Sequence, residues 1–380
     1  MKLLHLADLH LGKRVNEFSM LKDQAYVLEQ ILTLACAERV DGVLIAGDVF
    51  DKTVPSVEAV SLLDDFLTKL SVNHIAVYII CGNHDAPKRL AFGAQLIEKS
   101  AVYVAGEYEG EVKKVSVEDA FGPVHFYLLP YIKPAQVRAV WNQEAQDIET
   151  CQEAVSLVLQ KTPIEKEHRN ILVAHQFVAG AAVCDSEERS VGGLDQIEVS
   201  CFDGFDYVAL GHLHGPQQIG RKEVRYGGTL LKYSFSEIHH HKSVTLVELG
   251  EKGQVAIKTF PVKPLHEMRQ VRGSYEEITR RSNYEHTDTQ DYMRIILTDE
   301  EDIFDAVGKL RAIYPNLMRV EYDNTRTAGA KNLQMPAPEQ EKGPAELVEE
   351  LFEMQNHKPM EEAQKVYMER LIRQVWEEKI

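Results

Sequence analysis

From the first residues to about Val262, short runs of aliphatic and β-branched residues alternate with segments whose apolar positions recur every three or four residues. Period two marks strands and period 3.6 marks helices with one buried face. The spacing predicts strands at Lys2–Leu6, Val43–Ala46, Ile75–Ile80, Val124–Leu129, Ile171–Ala174 and Tyr207–Leu210. It predicts helices at Ser19–Arg39, Val57–Leu70 and Ala91–Ser100. The end of this stretch is strand-rich, at Val224–Tyr226, Ser243–Leu249 and Val255–Phe260, with glycine-containing turns between. These elements suit a layered α/β domain over residues 1–262, a two-sheet sandwich flanked by helices.

Beyond Pro261–Pro264 the pattern tightens. A strand near Val271, a helix at Tyr275–Arg281, a strand at Tyr292–Leu297, a helix at Asp302–Tyr314 and a strand at Leu317–Tyr322 predict a small α/β capping domain over residues 265–324. Residues 325–344 are polar, with glycine, proline, glutamine and lysine, and read as a flexible linker. Residues 345–380 read as two amphipathic helices interrupted near Pro359, with apolar positions at Leu347, Val348, Leu351 and Phe352, then Met360, Ala363, Tyr367, Leu371, Val375 and Trp376. Such helices either fold back on their own domain or dock on a partner.

Composition narrows the function. The chain has 42 Lys+Arg against 59 Asp+Glu, a net charge of −17, with 44% hydrophobic and 27% charged residues. That is the balance of a folded protein, and it lacks the bulk positive charge of a non-specific nucleic-acid binder. A nucleic-acid site must then be local and helped by metal ions or a partner. Five cysteines without a CxxC pair, no membrane-length apolar run, and an N-terminus broken by His5 and Asp8 point to reduced thiols and a cytoplasmic address.

Five short motifs each follow a predicted strand: Asp8-Leu9-His10, Gly47-Asp48-Val49-Phe50-Asp51, Gly82-Asn83-His84-Asp85, Ala174-His175-Gln176 and Gly211-His212-Leu213-His214. Strand C-termini are where α/β sheets hold ligands. Singly, each motif reads as well as a turn, a cap or a core histidine. Together they supply carboxylates, imidazoles and an amide carbonyl suited to borderline divalent cations.

The order of these motifs resembles the calcineurin-like metallophosphoesterases. The segments KLLHLADLHLGKR, AGDVFDKTVPS and GGTLLKYSFSE, with the capping domain and helical tail, resemble more closely the SbcD family, nuclease subunits of SbcCD complexes. The resemblance implies one metal on Asp8, His10 and His214, another on Asn83, His175 and His212, and Asp48 bridging. Two cations roughly 3.5–4 Å apart then support in-line hydrolysis by a metal-bound hydroxide. Mn²⁺ is the ion expected. His84 is the expected catalytic acid toward the leaving oxygen. Asp51 and Asp85 stand behind the ligands or His84, Asp85 equally as a helix cap.

Lys13, Arg14, Lys52, Lys88 and Arg89 are candidate DNA contacts, with Arg189 and Lys232 as further cations. Tyr233 fits either a sugar contact or the core, and His239–His241 a loop. The resemblance implies a Mn-dependent DNA phosphodiesterase: an ATP-dependent double-strand exonuclease of 3′–5′ polarity and a single-strand and hairpin endonuclease, acting in DNA repair, replication and recombination. It implies a nucleoid-associated homodimer, with Val57–Leu70 and Ala91–Ser100 as candidate contacts, and a heterotetramer with an SbcC-type coiled-coil ATPase. Leu351, Phe352, Tyr367, Leu371 and Trp376 would dock on that partner. The rival reading is a small-molecule or phosphoprotein metallophosphatase; a scaffold with a vestigial site is a third.

Overall fold

The computed structural model describes residues 1–184, 187, 195–327, 344–356 and 358–378. Two six-stranded sheets face each other. The first runs Val255–Pro261, Ser243–Leu249, Lys2–Leu6, Gly42–Ala46, Ala76–Ile80, Val102–Ala105; its last four strands are parallel. The second runs Gln217–Ile219, Arg221–Tyr226, Tyr207–Gly211, Arg169–His175, Gly122–Leu129, Lys113–Asp119, with four parallel strands between antiparallel edges.

Residues alternate between layers as period two requires. Leu3, Leu44, Ala46, Tyr78 and Ile80 meet Phe126, Leu128, Ile171, Val173, Tyr207 and Ala209 between the sheets. Leu4, Leu6, Val43, Ile45, Val77 and Ile79 turn outward, into the cluster that also holds Val27, Leu28, Ile31, Leu63 and Phe66 of the helices Leu21–Glu38 and Val57–Val72. On the other side Tyr127, Leu129, Leu172 and Leu210 pack with Val137, Val155 and Val158 of the helices Pro134–Trp141 and Cys151–Lys161. The sequence pattern missed these last two helices and the strand Lys113–Asp119.

Two expected helices differ. Ala91–Ser100 is not continuous: Gly93, with φ +73°, separates Pro87–Leu90 from Ala94–Ile97. The helix expected over Asp302–Tyr314 is only Ala306–Arg311, because Asp305 caps it with φ +49° and accepts from the Gly308 N–H.

A three-stranded parallel sheet, Met268–Gly273, Tyr292–Leu297 and Leu317–Tyr322, carries its own cluster of Ile278, Met293, Ile295, Leu297, Leu310 and Leu317. It is fastened to the sandwich at buried Asp23, which accepts from the His266 N–H (3.0 Å) and the Tyr292 hydroxyl (2.8 Å). The tail forms helices Pro344–Asn356 and Glu362–Glu378, joined by Lys365–Glu349 at 2.7 Å. Leu351, Tyr367 and Leu371 are exposed and Phe352 is half-buried, whereas the Trp376 side chain and residues 328–343 of the expected linker lie outside the described residues. No described helix is long and apolar enough to cross a membrane.

Candidate metal centre

All five motifs leave strands at the same end of the sandwich. Asp8 and Asp48 follow Lys2–Leu6 and Gly42–Ala46, Asn83 follows Ala76–Ile80, His175 ends Arg169–His175, and His212 follows Tyr207–Gly211. The two sheets are clamped there by His175, whose Nδ1–H donates to the Ala46 carbonyl at 2.8 Å. Glycine permits this approach: a Cβ on Gly211 would lie 1.8 Å from the Ala46 oxygen, and one on Gly82 2.1 Å from Asp48 Oδ1.

Asp8, His10, Asp48 and His212 have φ of +51°, +44°, +49° and +104°. Non-glycine residues pay about 1–3 kcal/mol for such backbone, and they cluster at functional sites. Cross-loop hydrogen bonds impose it here: Asp8 N–H to Gly47 O, His10 N–H to Asp48 O, and His212 N–H to Asp8 Oδ1.

Asp48 is central. Its Oδ2 lies 3.5 Å from His175 Nε2, 3.7 Å from His10 Nε2 and 3.9 Å from His84 Nε2, while Oδ1 accepts from the His84 N–H at 2.9 Å. Asn83 Oδ1 lies 2.9 Å from His175 Nε2 and 3.1 Å from His212 Nδ1. Those three atoms are the set expected for one cation. On the other side Asp8 Oδ2 and both His10 ring nitrogens are buried without a hydrogen-bond partner. A buried polar atom left unpaired costs about 1–3 kcal/mol, so the unpaired Asp8 oxygen and the His10 nitrogen beside Asp48 fit an ion. His214 completes the set: its Nδ1–H donates to Glu237 at 3.1 Å, and its ring centroid is 5.3 Å from that of His10.

Electrostatics agree with this fit. Burial raises Asp8 to about 7, with neighbouring Asp48 adding and His175 opposing. Burial also pushes Asp48 upward, but His175, by charge and hydrogen bond, overrides it and holds Asp48 well below the carboxylate range. For His175 burial opposes protonation, yet Asp48 and Asp8 raise it to about 9. Burial keeps His10 and His212 neutral, His212 at about 3. His175 Nε2 faces two acceptors, Asn83 and Asp48. A proton, or a cation in its place, resolves that contact.

His84 is partly exposed, and its Nδ1–H donates to the Asp51 carbonyl at 3.1 Å, which leaves Nε2 toward the site. Asp85 does not reach the His84 ring. It accepts backbone N–H groups of Gly82, Val49 and Phe50 at 2.9–3.1 Å and so ties two loops together. Burial, then Asp48, raises it to about 6. Asp51 pairs with Lys13 at 2.6 Å and lies 3.8 Å from His10 Nδ1.

Of the candidate DNA contacts, Arg14, Lys52, Lys88 and Arg89 are exposed, and Arg89 donates to the Thr53 carbonyl. Lys13 is held by Asp51 and sits 5.6 Å over the Tyr233 ring. Lys232 turns away to pair with Glu267 at 2.8 Å; Arg189 lies outside the described residues. Tyr233 is core, donating to the Leu9 carbonyl at 2.8 Å. His240 and His241 line a cleft beside the cap.

Several supporting residues carry no sequence signal of their own. Buried Glu237 holds His214 and pairs with buried Lys242. Gln24 donates to the His10 carbonyl at 2.8 Å and the Tyr233 hydroxyl at 2.9 Å. Tyr131 stacks on His212 at 6.3 Å.

Residues 1–216 match the calcineurin-like phosphoesterase family model, and residues 264–356 match a model described as the type 5 capsule protein repressor C-terminal domain. The chain is 33% identical over 323 residues to the SbcD component of the SbcCD nuclease of Staphylococcus epidermidis, covering 84% of each chain. It also resembles the crystal structure of a dimetal phosphatase from Danio rerio, at 15% identity and TM-score 0.42, over 70% of this chain and 98% of the other. A calcineurin-like phosphoesterase from Bacillus subtilis matches at 13% identity and TM-score 0.34, over 69% and 90%.

Proposed function

The chain belongs to the calcineurin-like phosphoesterases and, among them, to the SbcD family, and on that premise we propose that it is the metal-dependent nuclease subunit of an SbcCD-type complex. It is a hydrolase acting on phosphodiester bonds. The observation that carries the reading is the convergence of seven side chains, Asp48 among them, from the strand ends of both sheets on one site. Asp8, His10 and His214 would hold one divalent cation, and Asn83, His175 and His212 the other, with Asp48 between. When bound, the pair supplies Lewis acidity that activates water and stabilises charge at phosphorus.

The protein's own groups do the remainder. The Asp51 carbonyl keeps one proton on His84 Nδ1, so Nε2 is the basic nitrogen and would donate to the leaving oxygen from the imidazolium form. Asp85 and Gln24 keep the ligand loops in their left-handed backbone. Glu237 fixes the His214 tautomer, freeing Nε2 as a ligand atom. Exposed Arg14, Lys52, Lys88 and Arg89 would contact phosphates without reading sequence.

The nitrogen-rich donor set supports Mn²⁺. The net charge of −17 supports a partner that supplies the main grip on DNA. That partner would be an SbcC-type coiled-coil ATPase, bound through Leu351, Phe352, Tyr367, Leu371 and Trp376 of the tail. ATP-dependent 3′–5′ exonuclease action on duplex ends, cleavage of single strands and hairpins, and a place in DNA repair, replication and recombination in the cytoplasm, at the nucleoid, belong to the same reading. So does the division into a nuclease domain (1–262), cap (265–324), linker (325–344) and partner-binding tail (345–380). Val54, Val57 and Val60, and in a second stretch Phe92 and Leu96, are exposed and support a homodimer contact there.

The test compares single-stranded DNA with a phosphomonoester in Mn²⁺. Cleavage of DNA is expected; phosphomonoester hydrolysis without it would favour the phosphatase reading.

A further inference from the structure

A second group of imidazoles converges at the opposite end of the second sheet from the metal centre. His175 ends the strand Arg169–His175, whereas His168 immediately precedes that strand's first residue, so about 20 Å of strand separates them. His125 lies near the start of the neighbouring strand Gly122–Leu129. His125 Nε2 is 2.9 Å from His168 Nδ1. Glu165 Oε2 is 2.9 Å from the same His168 nitrogen, and Oε1 is 3.6 Å from His125 Nε2. All three side chains offer a ligand atom within 4.8 Å of one another.

Each is held from behind. Ser116 Oγ lies 2.8 Å from His125 Nδ1, fixing which nitrogen turns to the cluster. The Lys114 ammonium binds Glu165 Oε1, leaving Oε2 toward the imidazoles. The His168 backbone is fixed by its carbonyl, which accepts from Asn170 and Lys252, and by its N–H to Glu165 O. The converging atoms are left to share one proton among themselves. A neutral imidazole nitrogen is either donor or acceptor. If His168 Nδ1 carries its proton to Glu165, His125 Nε2 is left to share it; if His125 donates, the His168 lone pair faces a carboxylate. A cation accepts from both nitrogens and the carboxylate at once.

We infer that His125, Glu165 and His168 form a separate metal site that takes a Zn²⁺-type borderline cation and staples the turn at 165–168 to the start of Gly122–Leu129. Two imidazoles and one carboxylate are a known zinc donor set, with a fourth position for water. His125 is buried while Glu165 is exposed and His168 half-buried, so the fourth position opens outward and the ion can enter. The ion would brace this turn and take no part in DNA cleavage, because the cluster stands away from the phosphodiester chemistry.

The test titrates the metal-free full chain with ZnCl₂, reading bound zinc per chain and the unfolding midpoint, for wild type, His168→Ala and Glu165→Gln. Glu165→Gln removes the charge of an exposed carboxylate at constant size and serves if His168→Ala folds poorly. The variants are expected to bind one zinc fewer than wild type, to lose part of the zinc-dependent rise in midpoint, and to keep Mn²⁺-dependent DNA cleavage within about twofold. Equal zinc stoichiometry in all three proteins overturns the inference. So does loss of cleavage together with the missing ion, since that ion would then belong to the catalytic pair.

Discussion

His84 sits next to Asn83 in sequence yet is built for a different task. Asn83 faces the imidazoles of His175 and His212, whereas the His84 ring is held by a backbone carbonyl. A His84→Gln variant should retain both cations, by metal analysis, and lose about 10²–10⁴-fold in single-turnover cleavage, the contribution typical of proton donation. Loss of metal in that variant would make His84 a ligand. Asp8 and His175 hold protons in the metal-free chain, up to about pH 7 and about pH 9. Cations displace them, so affinity should rise with pH through this window and fall on acidification below about 7. Calorimetry in two buffers of different ionisation enthalpy should show roughly one to two protons released per chain at pH 7; no release would mean the ligands are already deprotonated.

At the scale of elements, the centre depends on strand ends meeting more closely than side chains allow. Gly211→Ala places a methyl 1.8 Å from the Ala46 carbonyl. The sheets must part there, at about 1–3 kcal/mol by the usual measure of overpacking, and the His175–Ala46 bond should break. Denaturant unfolding should give that loss with weakened metal binding; unchanged stability would contradict the clamp. The central strands were legible because each is a short, largely aliphatic run buried on both faces, and the meeting of the five motifs at one end because each follows such a run. What escaped has physical reasons. Lys113–Asp119 is an edge strand whose inward positions carry only two apolar residues, Val115 and Val117, so its alternation is too short to stand out. Cys151–Lys161 carries a capping box, Thr150 with Glu153, that a search for start signals would have found. Gln24, Glu237 and Lys242 act on loops of other elements, and nothing in their own surroundings encodes that contact. Asp85 was expected either to orient His84 or to cap a helix, but it caps none and its carboxylate points to the backbone of Gly82, Val49 and Phe50.

At the scale of the molecule, an acidic chain holds its cation site in the sandwich and an exposed apolar face on its tail. Removing residues 345–380 should leave Mn²⁺-dependent phosphodiester hydrolysis intact and abolish co-purification with an SbcC-type ATPase; retained binding would move the docking surface elsewhere. One link from the three-stranded sheet to the site runs through the helix Leu21–Glu38. Asp23 anchors His266 and Tyr292, and its neighbour Gln24 holds the His10 loop. All of this presupposes that seven side chains from both sheets enclose two cations. Anomalous scattering from a Mn²⁺-soaked crystal tests that most directly. Two peaks flanking the Asp48 carboxylate are expected, one contacting Asp8, His10 and His214 and the other Asn83, His175 and His212. A single peak, or two peaks without Asp48 between them, would contradict it.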